Sequence, residues 1–340
     1  MNIYDISKKA GVSTATVSRV INGSSAVSPK TREKVLKVIE ESGYSPNIFA
    51  RGLGLNSMNT IGLLCADVSD MYIAQGISFI ERGLREHGYD TILSCAGYLQ
   101  ERKEKALKLL LSKRVDAVIC VGSSFVSCQE NNNHYILEGA KEVPIMVLNA
   151  FLNVPNVYGV LCDDTAAVFD ATTRLIQKGI HQILYLYDHL SYCGHKKLKG
   201  YKDAFLQAGL PVKQEYIRCA LDISPSPTIS QITAFVQSLA NNGLVFNGAI
   251  TTDDWLAVGV IKYAAKENIS IPNQLSVVGY NNSSLAICCE PELTSIDNKL
   301  QLICQHCVTT LMQVLSKKEA PSQTIFSADI ITRNTTAADF

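Results

Sequence analysis

Three groups of residues in this chain have types and spacings suited to chemistry. The first is a C-x-x-C pair, Cys304 and Cys307, with His306 between the thiols and Cys288 and Cys289 upstream. Thiolates and an imidazole are zinc ligands, but structural zinc draws on paired clusters at loop spacing. Here the pair lies in a long helical pattern without a second pair, so buried reduced thiols are expected instead. The second group is the neighbouring carboxylates Asp163-Asp164 and Asp253-Asp254. Adjacent side chains rarely converge on one substrate atom, and these read as strand-end acids and helix caps. No Ser-His-Asp or Cys-His arrangement stands out, no G-x-G-x-x-G follows a strand, and no Walker loop is found. Neither an enzyme nor any cofactor or metal is expected.

The third group is the stretch GVSTATVSRVING at 11–23, rich in hydroxyls with Arg19 as its one charge. A helix from Thr14 gathers Val17, Val20 and Ile21 on one side. The other side shows Thr14, Ala15, Ser18, Arg19 and Asn22. Side chains this small let a helix sink into a DNA major groove about 12 Å wide. Hydroxyls and Asn22 can reach phosphate oxygens, Ala15 can meet a thymine methyl, and Arg19 can read guanine O6 and N7 with two hydrogen bonds.

Short helices can position that face. The first spans about 3–10, Gly11 turns the chain, and Ser13 caps the second helix at 14–21. Ser28-Pro29, a cap followed by proline in the first helical position, opens a third helix running to Gly43 with Val35, Val38 and Ile39 inward. YSPNIFARGLGLNS (44–57) is a poor helix, since Gly52 and Gly54 would each cost about 1 kcal/mol in a helix interior. From residue 60 short apolar runs alternate with amphipathic stretches: IGLLCA, TILSCA, AVICVG and PIMVLNA, then, from about Val160, ILYLYD, YIRCAL, GAITT and LSVVGY. Strands each followed by a helix make parallel sheets covered on both faces. Two such doubly wound units in tandem leave a cleft between them.

Bulk properties agree. At 340 residues, 47% hydrophobic and 18% charged, the chain reads as a soluble globular protein of two or three packed units. Its net charge is zero, but residues 1–58 carry eight basic against four acidic residues, net +4, which leaves −4 on the remainder. A basic head on an acidic body points to a polyanion met at the N-terminus. Neither a signal peptide nor a membrane-spanning apolar run is apparent, and eleven scattered cysteines suit a reducing compartment. A cytoplasmic, nucleoid-associated protein with no membrane partner is expected.

The segment IYDISKKAGVSTATVSRVINGSSAVSPKTREKVLKVIEESGYSPNIFARGL resembles the DNA-binding headpiece of the lac repressor/galactose repressor (LacI/GalR) family. Its ATVSRVING wording is most like the catabolite-control and galactose-repressor branches. The resemblance implies an all-α helix-turn-helix headpiece at 1–45 and a hinge helix and linker at 46–59. Base contacts would come from Thr14, Ala15 and Arg19, with Leu53 as a minor-groove wedge. Tyr4, Ser13, Thr16, Asn22, Tyr44, Asn47, Ala50 and Arg51 would serve the DNA backbone or the hinge. The operator would be pseudo-palindromic, with a central CpG step, and so bound by a two-fold dimer.

Residues 60–340 resemble the family's periplasmic-binding-protein-like α/β body, through RVDAVI, TRLIQKGIHQILYLY, KLKGYKDAF, TTDDWLAVG, IPNQLSVVGYNN and PELTSI. That likeness implies an N-terminal effector subdomain at 60–159 and 292–321, and a C-terminal one at 160–291 and 322–340. A small polar effector, a sugar or related metabolite, would sit between them on Asp70, Tyr72, Ser123, Ser124, Asn149, Phe151, His195, Lys197, Asp254, Trp255 and Asn281. Two positions depart from the family pattern: Lys197 stands for an arginine and Asn281 for an aspartate. With His195, Lys196 and Lys199 nearby, an anionic group on the effector becomes an expectation, although a solvated helix face explains most of these lysines. The apolar stripe Leu300, Ile303, Cys304, Cys307 and Leu311 reads as a homodimer face, with an intrasubunit core as the competing reading. The implied activity is ligand-responsive transcriptional repression. A protein corepressor in place of the small ligand is the first alternative, and a solute-binding module the second.

Overall fold

The computed structural model describes residues 2–21, 25–43, 57–222, 224 and 226–340. The N-terminal unit holds α1 (Ile3–Ala10), α2 (Thr14–Ile21) and α3 (Pro29–Ser42), close to the expected bounds. Each start has a chemical cause. Asn2 accepts the amides of Tyr4 and Asp5 at 3.0 and 3.1 Å while Asp5 accepts that of Asn2, forming a reciprocal capping box. Ser13 accepts the Thr16 amide at 3.2 Å, and Ser28 accepts that of Thr31 at 3.3 Å ahead of Pro29. Gly11, at φ +60°, makes the turn between α1 and α2. The three helices meet in a small core of Ile6, Ala10, Val17, Val20, Val27 and Val35.

The body holds two six-stranded sheets. The first comprises β1 (Thr60–Cys65), β2 (Asp90–Cys95), β3 (Ala117–Val121), β4 (Ile145–Leu148), β5 (Val157–Cys162) and β11 (Gln323–Phe326). All are parallel, in the order β11-β5-β4-β3-β1-β2. The second comprises β6 (Ile183–Tyr187), β7 (Ile217–Cys219), β8 (Gly248–Thr251), β9 (Ser276–Tyr280), β10 (Thr294–Asp297) and β12 (Asp329–Ile331). Their order is β12-β10-β9-β8-β6-β7, and only β12 runs antiparallel to its neighbour.

Helices cover both faces of each sheet. On the first, α4 (Met71–Glu86) and α12 (Leu300–Leu315) pack on one face, α5 (Gln100–Ser112) and α6 (His134–Ala140) on the other. On the second, α7 (Asp164–Gln177) and α8 (Tyr192–Gln207) face α9 (Ile229–Asn241) and α10 (Asp254–Lys266) across the strands. A short α11 (Ser284–Cys288) follows β9.

Two expectations are corrected here. The crossings between subdomains fall after β5, after β10 and after β11, later than the boundaries at 160, 292 and 322. β10 pairs with β9 and so belongs to the second sheet, while β11 pairs with β5 and belongs to the first. The α12 stripe of Leu300, Ile303, Cys304, Cys307 and Leu311 is buried against α4 and the first sheet, so it is intrachain core and not a dimer face. Cys304 and Cys307 are buried thiols as expected, whereas Cys288 is exposed and Cys289 half-buried.

Candidate DNA-reading face and interdomain cleft

Val17 and Val20 anchor α2 in the headpiece core, which leaves Ser13, Ala15 and Arg19 exposed and Thr14, Thr16 and Ser18 half-buried on the outer side. Tyr4 on α1 is 71% exposed. The Ser13 hydroxyl also lies 2.9 Å from that of Thr16, so both are held at the start of α2, where backbone N–H groups and the helix dipole favour a phosphate. Asn22, Tyr44, Asn47, Ala50, Arg51 and Leu53 lie outside the described residues.

The strands of each sheet end at a common cleft, where parallel α/β sheets place their ligands. Side chains meet across it. The Tyr72 hydroxyl accepts from Asn149 Nδ2 at 2.7 Å and from Asn298 Nδ2 at 2.8 Å, and Asn298 Nδ2 also donates to Asn281 Oδ1 at 3.2 Å. Burial pushes the Tyr72 phenol well above its ordinary value, so it stays neutral. Ser123 donates to Ser191 at 2.9 Å, and the Cys193 thiol donates to the Asn149 carbonyl at 3.5 Å. Tyr98, just beyond β2, stacks on His189, just beyond β6, with ring centroids 4.4 Å apart.

The cleft wall is acidic. Asp188 accepts from Thr252 Oγ1 at 3.2 Å and lies 3.0 Å from His189 Nδ1. Burial works against the Asp188 charge, but the hydrogen bond and charge of His189 hold its carboxyl below the usual value. Asp253 is pushed up to about 8, first by burial and then by the charge of Asp188. Lys197 does not reach out toward an anion. It is 8% exposed, donates to the Thr252 carbonyl at 2.8 Å, and lies 3.5 Å from the centre of the Tyr280 ring. Its charge already acts on Asp164, Asp188 and Asp253.

Other expected residues stand apart from this network. Asp70 caps α4 through the amides of Tyr72 and Ile73 at 2.8 and 3.2 Å. The Ser124 carbonyl is taken by Lys103, and Phe151 is half-buried beside Gly159. Trp255 is 40% exposed and donates to the Pro227 carbonyl. His195 is exposed on α8 with Nδ1 on the Ser191 carbonyl, Lys196 lies over the Tyr192 ring, and Lys199 pairs with Asp203. An anionic preference drawn from this run therefore loses its basis: helical periodicity sends three of the four side chains outward.

Asp254 is a second correction. It is buried and accepts from Ser283 N, Ser283 Oγ and Ser295 Oγ, tying α10 to β10 and the loop after β9. Because Asp253 caps α10 through the Leu256 amide at 2.8 Å, the next residue is rotated about 100° inward. The sequence reading missed Asp188, His189, Tyr98, Asn298 and the cleft position of Asp253. Their signal was available for three of them, since Asp188, His189 and Tyr98 lie in the loops that open at strand ends.

A small helix-turn-helix with an outward polar face, joined in one chain to a two-sheet periplasmic-binding-protein-like body, defines a DNA-binding regulator class. Comparison with known proteins agrees. Residues 2–47 match "Bacterial regulatory proteins, lacI family", and 172–336 match "Periplasmic binding protein-like domain". The chain is 49% identical over 99% of its length and 99% of the other's to an HTH-type transcriptional regulator of Lachnoclostridium phytofermentans. It is 32% identical over 96% of both chains to catabolite control protein A of Priestia megaterium. The structure of the lac repressor dimer bound to operator and the anti-inducer ONPF superposes with a TM-score of 0.86 at 23% identity, covering 99% of each chain. The chain belongs to the lacI family of bacterial regulatory proteins: it is a DNA-binding transcriptional regulator, not an enzyme.

Proposed function

We propose that this chain is a cytoplasmic repressor that binds a pseudo-palindromic operator as a homodimer and is gated by a neutral, hydroxyl-rich effector, a sugar, in the cleft. Thr14, Ala15 and Arg19 read base edges; Tyr4, Ser13 and Thr16 hold phosphates. The headpiece at 1–45 and hinge at 46–59 act as one DNA-binding unit, and the two sheet-based subdomains as one sensor. The ligand class rests on a single observation: Lys197 is occupied within the wall, while Asp188 presents a carboxylate against the Tyr98–His189 stack. The Asp188 carboxylate accepts hydrogen bonds from sugar hydroxyls and repels anions, and an aromatic face suits the apolar side of a pyranose.

Two measurements test this reading. Selection of bound sequences from a random duplex pool should return an inverted repeat. A thermal-shift screen of neutral mono- and disaccharides beside their phosphates should favour the neutral members, with the shift lost in Asp188→Asn. Preference for sugar phosphates would overturn the ligand class. A blank screen with intact operator binding would transfer control of the same regulator to a protein corepressor.

A further inference from the structure

β1 and β2 end side by side, and their last residues are both cysteines. Cys65 and Cys95 are register partners in a parallel pair, so their Cα atoms lie about 4.8 Å apart, inside the range a disulfide spans. Both side chains rise from the same face of the sheet, and their sulfurs are 3.6 Å apart. Cys65 is buried, whereas Cys95 is exposed, so a reagent reaches the pair from the Cys95 side alone. We propose that Cys65 and Cys95 form a reversible dithiol–disulfide site for hydroperoxides, and that its closure is felt in the two cleft loops that follow it.

The chemistry balances with the peroxide as oxidant. The Cys95 sulfur attacks one peroxide oxygen; the S–O bond forms as the O–O bond breaks, and the departing oxygen leaves with the thiol proton as water or an alcohol. The Cys65 sulfur then displaces the hydroxyl of that sulfenic acid. An S–S bond forms, the S–O bond breaks, and the hydroxyl leaves with the Cys65 proton as water. Two thiols are oxidised and one peroxide is reduced. Nothing but a small-molecule or protein dithiol is needed to reverse it.

The coupling follows from connectivity. Beyond the pair, Ala96 N donates to Cys65 O at 2.8 Å and Gly97 N to Ala66 O at 2.9 Å, so the strand exits remain bonded to each other. The β1 exit leads through Asp67, which accepts from Ser69, to Asp70, the cap of the helix carrying Tyr72. The β2 exit leads through Gly97 to Tyr98, which stacks on His189. Drawing the sulfurs from 3.6 Å to about 2.0 Å moves both exits toward each other.

The test treats the full-length reduced protein with hydrogen peroxide and maps unreduced tryptic peptides by mass spectrometry. The expected product is one cross-link between the peptides carrying Cys65 and Cys95, two hydrogens lighter than their sum and reversed by dithiothreitol. In Cys65→Ala, dimedone should trap a sulfenic acid on Cys95; the exposed variant Cys95→Ser should lose the cross-link with its fold intact. Hydrogen–deuterium exchange should slow at 66–70 and 96–98 in the oxidised protein. Cys95–Cys95 links between chains, or sulfinic acid on Cys95 beside a reduced Cys65, would overturn the site. Unchanged exchange in those loops after quantitative cross-linking would overturn the coupling.

Discussion

Arg19 shows what one side chain is asked to supply. It sits on the exposed side of a helix whose opposite side is fixed by Val17 and Val20, so its reach is set by the headpiece core. On a selected operator, Arg19→Ala is expected to weaken binding by about 1–3 kcal/mol and to relax preference at one base position. Competition against single-base variants measures both; equal loss on every sequence would make Arg19 a phosphate contact. Asp253 carries a different burden. Its carboxyl is pushed up to about 8 in the fold but titrates at the ordinary carboxylate value when unfolded. Between those values the native state holds the extra proton, so this group's contribution is complete below the unfolded value and is lost as pH rises through 8. Asparagine cannot ionise and still caps α10. Asp253→Asn should therefore match wild type near pH 4 and exceed it near pH 8.5, by on the order of 1 kcal/mol. Thermal melts at the two pH values decide it, and a gap that shrinks with pH would reverse the assignment.

Elements are held by close approaches that few residues permit. At Gly200 on α8 an added Cβ would stand 2.3 Å from the Thr165 carbonyl oxygen and 2.9 Å from the Phe169 nitrogen, both backbone atoms of α7. Backbone cannot swing aside as a side chain can, so Gly200→Ala should destabilise the second subdomain by about 1–3 kcal/mol, read from urea unfolding. The long elements were legible in the sequence because apolar periodicity and caps agree: ILYLYD became β6, and Ser28-Pro29 opened α3 within a residue of expectation. β10, β11 and β12 were not. They are four, four and three residues long, and β11 and β12 lack a fully buried residue. β11 takes its place from β5, far earlier in the chain, and β10 and β12 from pairing with each other across the intervening α12. The same limit applied in the site. Asp253 and Asp254 are equivalent as letters, and only the helix start at Asp254 sends one to the cap and the other inward. Lys197 looked like a free cation because its partners, the Thr252 carbonyl just past β8 and the Tyr280 ring on β9, come from distant parts of the chain.

At the scale of the whole molecule the question is what holds the two sheets together. Three crossings of chain make the connection, and the cross-cleft contacts described are small and polar: Ser123 to Ser191, Tyr72 to Asn298 on a crossing segment, Cys193 to the Asn149 carbonyl. Polar contacts of this kind exchange readily with water, which makes relative motion of the subdomains the natural expectation. The Tyr98–His189 stack is the one aromatic contact across the cleft among the described residues, and both rings stand at loop positions after strand ends. A stack is worth about 0.5–1.5 kcal/mol beyond the area it buries, and half-exposure of Tyr98 puts it toward the lower end. Tyr98→Ala should therefore shift the open–closed balance by roughly two- to tenfold toward open. Small-angle scattering should report a larger radius of gyration for the unliganded variant, and an effector should bring it back at a correspondingly higher concentration. If the variant scatters like wild type, the closed state is held by the crossings and the polar contacts without the stack. The effector's work would then be confined to the Tyr72, Asn149 and Asn298 cluster at their base.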